Sequence, residues 1–267
     1  MFRKSLLALT IIAGLLSAGF AQVRNIKSEK ADKNAAAATI NPFVVGERLN
    51  YDVSWSDFIV AGELTMETKT RGQFDGTDAF QVSLQAESVG LVKAVVYKVN
   101  EVYESYIDAA TLKPFRAEKR SRRGKKQKHT SVTIDQKRRI AQLTDGRKIE
   151  IPAETYDVAG LLYAIRTIDL TQGKVRTFTL LDNDKLMTVQ VEPEAREKLT
   201  TRTGKYDVVR VSAKTLEGSQ TDDSFKIRLY ITNDARRLPV LFTADMSWGE
   251  VKAELTSATG TRQEKKK

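Results

Sequence analysis

Cysteine is absent from the 267-residue chain, and histidine occurs once, at His129. The lack of cysteine excludes disulfides, iron–sulfur clusters, thiolate zinc sites and thiol nucleophiles. One histidine is too few for the histidine-based zinc sites that remain without cysteine. We therefore expect no cofactor and no bound metal.

Long apolar runs are also missing, apart from one at the start of the chain. Arg3 and Lys4 precede the apolar run from Leu6 to Ala18, which is shorter than the roughly 20 residues of a membrane-spanning helix. Gly19 and Ala21 then place small residues where signal peptidase requires them. The pattern predicts a signal peptide over residues 1–21, with a retained anchor as the alternative, and hence a soluble periplasmic protein secreted across the inner membrane.

The chain that would remain after cleavage has three parts. Residues 22–41 are polar and poor in large apolar side chains, which predicts a flexible linker. Residues 257–267 have the same character and end in three lysines, which predicts a disordered basic tail. Residues 42–256 remain for one β domain of ordinary size.

Positive charge exceeds negative charge, since 44 Lys and Arg residues stand against 34 Asp and Glu residues. Loss of Arg3 and Lys4 with the signal peptide would lower the net charge from +10 to +8. Such a surplus suits a protein that works near anionic surfaces. Export argues against nucleic acid as the partner, and no feature of the sequence indicates a protein partner.

Apolar and polar residues alternate with a period of two along most of the domain, which predicts strands with one buried face. The clearest runs are 49–55, 82–86, 187–191, 225–231 and 251–255. Turn residues such as Asp145-Gly146 separate them by short links, which favour hairpins over parallel crossovers. We predict a mainly β fold: a single curved antiparallel sheet or open β-barrel with one packed α-helix.

The predicted helix spans Val158 to Thr167, where apolar residues recur at helical spacing. Asp157 precedes it as a good N-cap. Two similar phrases, YIDAATLKPF from Tyr106 and YITNDARRLPVL from Tyr230, each run through an Asp turn to a proline. Because proline is tolerated at the first residue of a strand, both phrases predict long hairpins. Recurring hairpin chemistry explains them better than a tandem duplication.

Several segments together resemble the exported bacterial proteins catalogued as domain of unknown function 3108. They are GERLNYDVSWSDFIVAGELTME, YIDAATLKPFR, DVAGLLYAIR, NDARRLPVLF and WGEVKAEL, which run from Gly46 to Leu255. The resemblance implies an exported β architecture and assigns no catalytic or binding residues. That architecture is more distantly similar to the half-barrels that carry lipoproteins. The basic run described next departs from the usual family pattern.

A basic run follows the first phrase, with Glu118 as its only acidic residue. Gly124 marks the tip of a predicted hairpin arm with a strongly cationic end. The residues predicted to contact an anionic surface are Arg120, Arg122, Arg123, Lys125, Lys126 and Lys128. Candidate partners are an anionic membrane surface, lipid, lipopolysaccharide or acidic glycan; the alternative is an arm that only faces water.

A second candidate site is apolar. Trp55, Phe58, Leu161 and Trp248 could line a concave pocket, because one helix cannot easily cover every apolar face of a wide sheet. An acyl chain could occupy such a hollow. The alternative is that these residues are ordinary core residues.

No catalytic residue can be assigned. His129 has no acidic neighbour close in sequence to orient it, and Asp182-Asn183-Asp184 reads as a hairpin turn, not a calcium loop. Asp52, Asp57, Glu63 and Glu67 could supply paired carboxylates, as in an envelope hydrolase. We therefore expect a non-enzymatic envelope protein that binds a lipid-like or acidic component. The alternatives are a structural module that pairs through sheet edges and a carboxylate-dependent hydrolase.

Overall fold

The computed structural model describes residues 41–55, 59–90, 98–217, 220–246 and 249–262. Strands dominate this part of the chain. They are β1 (Arg48–Trp55), β2 (Ile59–Phe74), β3 (Thr77–Ser88), β4 (Val99–Asp108), β5 (Pro114–Arg123), β6 (Lys126–Asp135), β7 (Ile140–Leu143), β8 (Lys148–Glu150), β9 (Thr155–Tyr156), β10 (Arg176–Asp182), β11 (Lys185–Thr201), β12 (Gly204–Glu217), β13 (Gln220–Thr232), β14 (Pro239–Met246) and β15 (Gly249–Thr259). The last strand extends three residues past the predicted end of the β domain. The predicted signal peptide and most of the linker lie outside the described residues.

All these strands form one sheet, in the order β8-β7-β6-β5-β4-β3-β2-β1-β15-β14-β13-β12-β11-β10-β9. Almost every strand pairs antiparallel with its neighbour in sequence, as short turns dictate. Two pairings differ: β1 joins β15 from the other end of the chain, and β9 lies parallel to β10. The sheet is open between its edge strands β8 and β9. The predicted mainly β class is confirmed.

One helix, α1 (Val158–Ile165), follows β9. The carboxylate of Asp157 caps it by accepting the backbone N–H groups of Ala159 and Gly160 at 3.0 and 3.1 Å. Seven of its eight residues are buried, and a helix that is buried on all sides lies inside a fold. Helix α1 therefore fills the concave side of the sheet, as the predicted packed helix does.

Gly160 allows this close packing. A Cβ atom at this position would lie 2.8 Å from Asp157 Oδ2, 3.2 Å from Ser105 Oγ and 3.3 Å from Pro114 Cγ. Ser105 also donates a 2.6 Å hydrogen bond to Asp157. The N-cap, β4 and β5 thus meet where only glycine leaves enough room.

The main core joins both halves of the sheet around α1. Leu64 and Leu84 come from the first half, and Leu229 and Val251 from the second, with Leu161 of the helix between them. The gap at the open side is closed by side chains. A second cluster there contains Ile134, Ala141 and Ile151 from the β6–β8 side and Leu181 from β10. Packing thus replaces backbone pairing where the sheet does not close.

Both similar phrases form the predicted hairpin turns. Asp108 accepts the N–H groups of Ala110 and Thr111 at 2.9 and 2.7 Å, and Asp234 accepts that of Arg236 at 2.9 Å. Strands β5 and β14 begin at Pro114 and Pro239, where a missing N–H costs no ladder bond. The aspartate-turn interpretation is confirmed at both positions.

Candidate functional site

The basic run forms the β5–β6 hairpin, which is the first candidate site. Gly124 has φ +59°, a conformation that glycine adopts without strain. Cross-strand partners around it are Arg123 with Lys126, Arg122 with Gln127, and Arg120 with His129. Side chains are exposed on both strands near this tip. The tip therefore brings its cations together at one end of the sheet.

Strand register assigns these cations to two faces. Tyr103 of β4 lies in the core and pairs with Lys119, whereas Val102 pairs with Arg120. Because side chains alternate along a strand, Lys119 and Arg123 share the inner face, and Arg120 lies on the outer face.

Two buried glutamates neutralise part of the run. Glu101, which is 1% exposed, accepts a hydrogen bond from Arg123 Nε at 2.8 Å on the inner face. Glu104, which is 5% exposed, accepts Lys69 and Arg120 on the outer face. Burial alone would raise the pKa of Glu104, but its bonds to Lys69 and Arg120 hold that pKa below its ordinary value. Neither acid could be assigned to these cations from the sequence, because both lie outside the basic run.

Further acids engage the base of the hairpin. Lys119 reaches Asp182 of β10 at 3.3 Å, and Arg116 reaches Glu118 at 2.6 Å. His129 Nε2 lies 3.4 Å from Glu118 Oε2, with the histidine side chain 58% exposed. The fold therefore supplies His129 with the acidic neighbour that its own segment lacks, on an exposed surface.

The remaining cations of the predicted set are Arg122, Lys125, Lys126 and Lys128. All four are exposed, and no carboxylate among the described residues lies within ion-pairing distance of them. The amide oxygen of Gln127, oriented toward Arg122, accepts its guanidinium at 3.0 Å. The hairpin cations thus divide into an ion-paired group, which includes Arg123 beside Gly124, and these four tip cations, whose charges are not neutralised.

Of the four apolar candidate residues, the structure describes Leu161 and Trp55. Leu161 is 1% exposed and packs in the main core. Trp55 is half-buried and contacts the same core from the end of β1, while Phe58 and Trp248 lie outside the described residues. A cavity of about 40 Å³ beside the start of α1 is lined in part by Tyr103, Lys119 and Asp157. That volume suits ordered water and is far too small for an acyl chain.

The candidate carboxylates on the outer face are engaged by arginines. Arg202, in the turn between β11 and β12, contacts Asp52 at 2.8 Å and Glu254 at 3.4 Å. Arg48 contacts Glu67 at 3.3 Å, and Glu63 is the cross-strand partner of Asp52. Asp57 lies outside the described residues. In the turn 182–184, which the sequence predicts to be a hairpin turn, Asp182 binds Lys119 and Asp184 binds Arg147 at 3.2 Å.

Buried groups near α1 have shifted acidities. Burial raises the pKa of Asp157 to about 6, although bonds from Ser105 and the backbone N–H groups oppose this shift. Burial likewise raises the pKa of Tyr156 to about 12. Within the described residues, no helix is long and apolar enough to cross a membrane.

Similarity to one solved structure supports the fold. A β-barrel-like protein of the DUF1849 family from Brucella abortus superposes with a TM-score of 0.56 at 10% identity, covering 80% of this chain and 97% of that one. A DUF1089 family protein from Pseudomonas aeruginosa gives a TM-score of 0.43 at 11% identity, covering 79% and 97%. No curated protein sequence matches the chain.

A family model for a protein of unknown function, DUF3108, matches residues 50–256. This range contains β2 to β14 and the helix, and it takes in most of β1 and β15. It also includes the segments from which the resemblance was inferred, except residues 46–49 of the first. The chain therefore belongs to the DUF3108 family.

Proposed function

We propose that the protein is an exported, non-enzymatic envelope protein that docks on an anionic lipid surface through the tip of the β5–β6 hairpin. One observation carries the proposal: Arg122, Lys125, Lys126 and Lys128 have no carboxylate partners in the described chain, whereas Arg123 and Arg120 are neutralised by Glu101 and Glu104. Export rests on the signal peptide predicted over residues 1–21.

The size of the effect follows from membrane electrostatics. A Lys or Arg near an anionic bilayer contributes about 1 kcal/mol, and the attraction fades within a Debye length of about 10 Å at moderate salt. Four such residues would contribute a few kcal/mol in total, so the docking is weak, reversible and sensitive to salt.

The interior supports docking on a surface over uptake of a lipid into the fold. Helix α1 occupies the concave side of the sheet, and Leu161 is a packed core residue. Tyr163 also lies inside, where its ring meets Phe43 edge-to-face at 4.9 Å. An acyl chain would have to displace these contacts.

The alternative functions have less support. The edge strands β8 and β9 contain three and two residues, so they offer few ladder bonds to an added strand. A carboxylate-dependent hydrolase needs two carboxyl groups facing one substrate space, whereas Asp52 and Glu67 are bound to Arg202 and Arg48.

Vesicle co-sedimentation tests the proposal. We expect the full protein to bind vesicles that contain phosphatidylglycerol and not to bind vesicles of phosphatidylcholine alone. Raising the salt concentration should abolish binding. Replacing Lys125, Lys126 and Lys128 by Gln should weaken binding by about a hundredfold, as expected for three cations at about 1 kcal/mol each.

The turn after β6 offers a matched control. Lys137, Arg138 and Arg139 lie at the other end of the same ten-residue strand, about 30 Å from the tip. Replacing all three by Gln removes the same charge and should leave vesicle binding unchanged. Equal losses in both triple variants would refute the role of the tip. Binding to soluble polygalacturonate without vesicle binding would assign the tip to acidic glycan and overturn the lipid proposal.

A further inference from the structure

A surface cleft of about 320 Å³ lies at the end of the sheet opposite Gly124. Its walls come from the loop 169–172 after α1, from β11 and β12, and from the turn 233–237 between β13 and β14. Its volume is at the lower end of the range for small-molecule pockets. The turn 233–237 belongs to the second hairpin phrase and to one segment of the family resemblance, but neither assigned it a binding role.

Arg237 is the distinctive residue of the cleft. It is half-buried, and its Nη1 donates to the carbonyl of Ile168 at 3.0 Å. No carboxylate of the described chain lies within ion-pairing distance of its guanidinium. Its neighbour Arg236 is different, because Nε of Arg236 binds Asp234 at 3.1 Å.

A half-buried cation without an anion is unfavourable. Burial lowers the pKa of Arg237, and the more distant Asp169 and Asp234 compensate only in part. A desolvated charge of this kind is stabilised when an anion with good hydrogen-bonding geometry arrives. Guanidinium donors remain for that purpose, because a single contact to Ile168 uses few of the five.

The backbone of Arg237 is held in place before any ligand arrives. Its carbonyl accepts Arg166 Nε at 3.0 Å, and Arg166 Nη2 binds the carbonyl of Arg236 at 3.1 Å. Arg166 is itself fixed in the core by Glu47. Arg237 also has φ +49°, which a non-glycine residue adopts only when its surroundings impose it. The guanidinium is therefore presented from a rigid turn.

The rest of the cleft suits a short apolar group beside the anion. Leu170 and Val209 are 8% and 5% exposed, and Ala195 is half-buried on β11. The nearby acids are already engaged: Asp169 by Lys174 at 3.0 Å, and Asp207 by Arg196. Their charges are compensated, so the net charge that faces the cleft is that of Arg237.

We propose that this cleft is a binding site for a small amphipathic carboxylate, with the carboxylate on Arg237 and a short aliphatic body against Leu170, Ala195 and Val209. The site is independent of the hairpin tip, which lies at the other end of the sheet.

A ¹H–¹⁵N NMR titration of the full protein with hexanoate tests this site. The amides of residues 169–172 and 233–238 should shift in a saturable manner, while hexanol and hexylamine at the same concentrations should not shift them. Arg237→Met should weaken hexanoate binding by about tenfold or more, because a charge-assisted pair is lost. Hexyl phosphate shows whether the site accepts phosphate as well; binding tighter than that of hexanoate would overturn the assignment to carboxylates.

Two further variants make the result decisive. Ala195→Phe leaves Arg237 in place and fills the cleft, so it should also abolish binding. Arg138→Gln removes an arginine whose side chain is 82% exposed elsewhere and should have no effect. The proposal fails if hexanol shifts the same amides as hexanoate, if Ala195→Phe and Arg237→Met both bind like the wild type, or if the shifts fall on residues 122–128. The triple variant of the tip, which should no longer dock on vesicles, should give the same hexanoate titration as the wild type.

Discussion

Arg166 and Glu47 form a bidentate ion pair in the centre of the molecule, with Nη1–Oε1 at 2.6 Å and Nη2–Oε2 at 3.0 Å. Both side chains are 1% exposed. Arg166 follows the last turn of α1, and its guanidinium lies about 5.5 Å from the ring centres of Phe43 and Tyr163. One side chain therefore joins the helix, the segment before β1 and the turn before β14.

This pair predicts non-additive mutational effects. Glu47→Leu or Arg166→Met alone should lower the free energy of unfolding by about 3–5 kcal/mol, because each leaves the other charge buried without a partner. The double variant Glu47→Leu/Arg166→Met should lose less than the sum of the two single losses. Urea denaturation of the variants measures this coupling, and strict additivity would contradict it.

Gly160 predicts a reversal of the usual helix preference. Alanine in a helix interior normally stabilises by about 1 kcal/mol relative to glycine. Here its Cβ would collide with Asp157, Ser105 and Pro114, so we expect Gly160→Ala to destabilise the protein by about 1–2 kcal/mol net. A urea midpoint that rises in this variant would contradict the close contact.

The raised pKa of Asp157 predicts a pH dependence of stability. Its folded-state pKa of about 6 lies above the ordinary value of 3.8, so the folded state retains the proton more strongly. The stabilisation is fully present below pH 4 and is lost as the pH rises to about 6, a change of about 2–3 kcal/mol.

Asp157→Asn isolates this effect. Asparagine keeps an oxygen for the helix N–H groups and does not titrate. The difference in unfolding free energy between the wild type and this variant should therefore change between pH 4 and pH 6 in favour of the wild type at the acidic end. Acids with a lowered pKa, such as Glu104, contribute equally to the pH dependence of both proteins, so their contributions cancel in the difference. A difference independent of pH would show that Asp157 keeps its ordinary acidity.

Arg123 and Lys126 are cross-strand partners with opposite expected roles. Arg123→Gln removes the cation from buried Glu101 and should cost about 1–3 kcal/mol of stability while leaving vesicle binding intact. Lys126→Gln should weaken vesicle binding with little change in stability. The two measurements together check the division of the hairpin cations into an ion-paired group and a group that binds the membrane. The division would be rejected if Arg123→Gln weakened vesicle binding and Lys126→Gln lowered the stability.

Local patterns in the sequence predicted the features that depend on local chemistry. Alternation predicted the strands, Asp157 the start of the helix, and Asp108 with Asp234 the two hairpin turns. Gly124 and the basic run predicted the cationic tip. These features depend on neighbouring residues, for which alternation and turn chemistry are reliable guides.

The features that depend on register could not be predicted. Glu101 and Glu104 lie on opposite faces of β4, and a slip of one residue would reverse their partners. Glu47 meets Arg166 across 119 positions, and the Arg237 cleft combines several distant segments. The contacts that α1 makes with the sheet could not be predicted either, because no local pattern states how far a helix extends across a curved sheet.

The pairing of β1 with β15 has a consequence for biogenesis. An exported chain that emerges N-terminus first can form one hairpin after another as soon as each has crossed the membrane. Strand β1, however, keeps an unpaired edge until residues 249–259 arrive. Because we propose that the protein is exported, we expect the nascent chain to be most accessible to chaperones and proteases during that interval and to complete its fold with the last strand to be translocated.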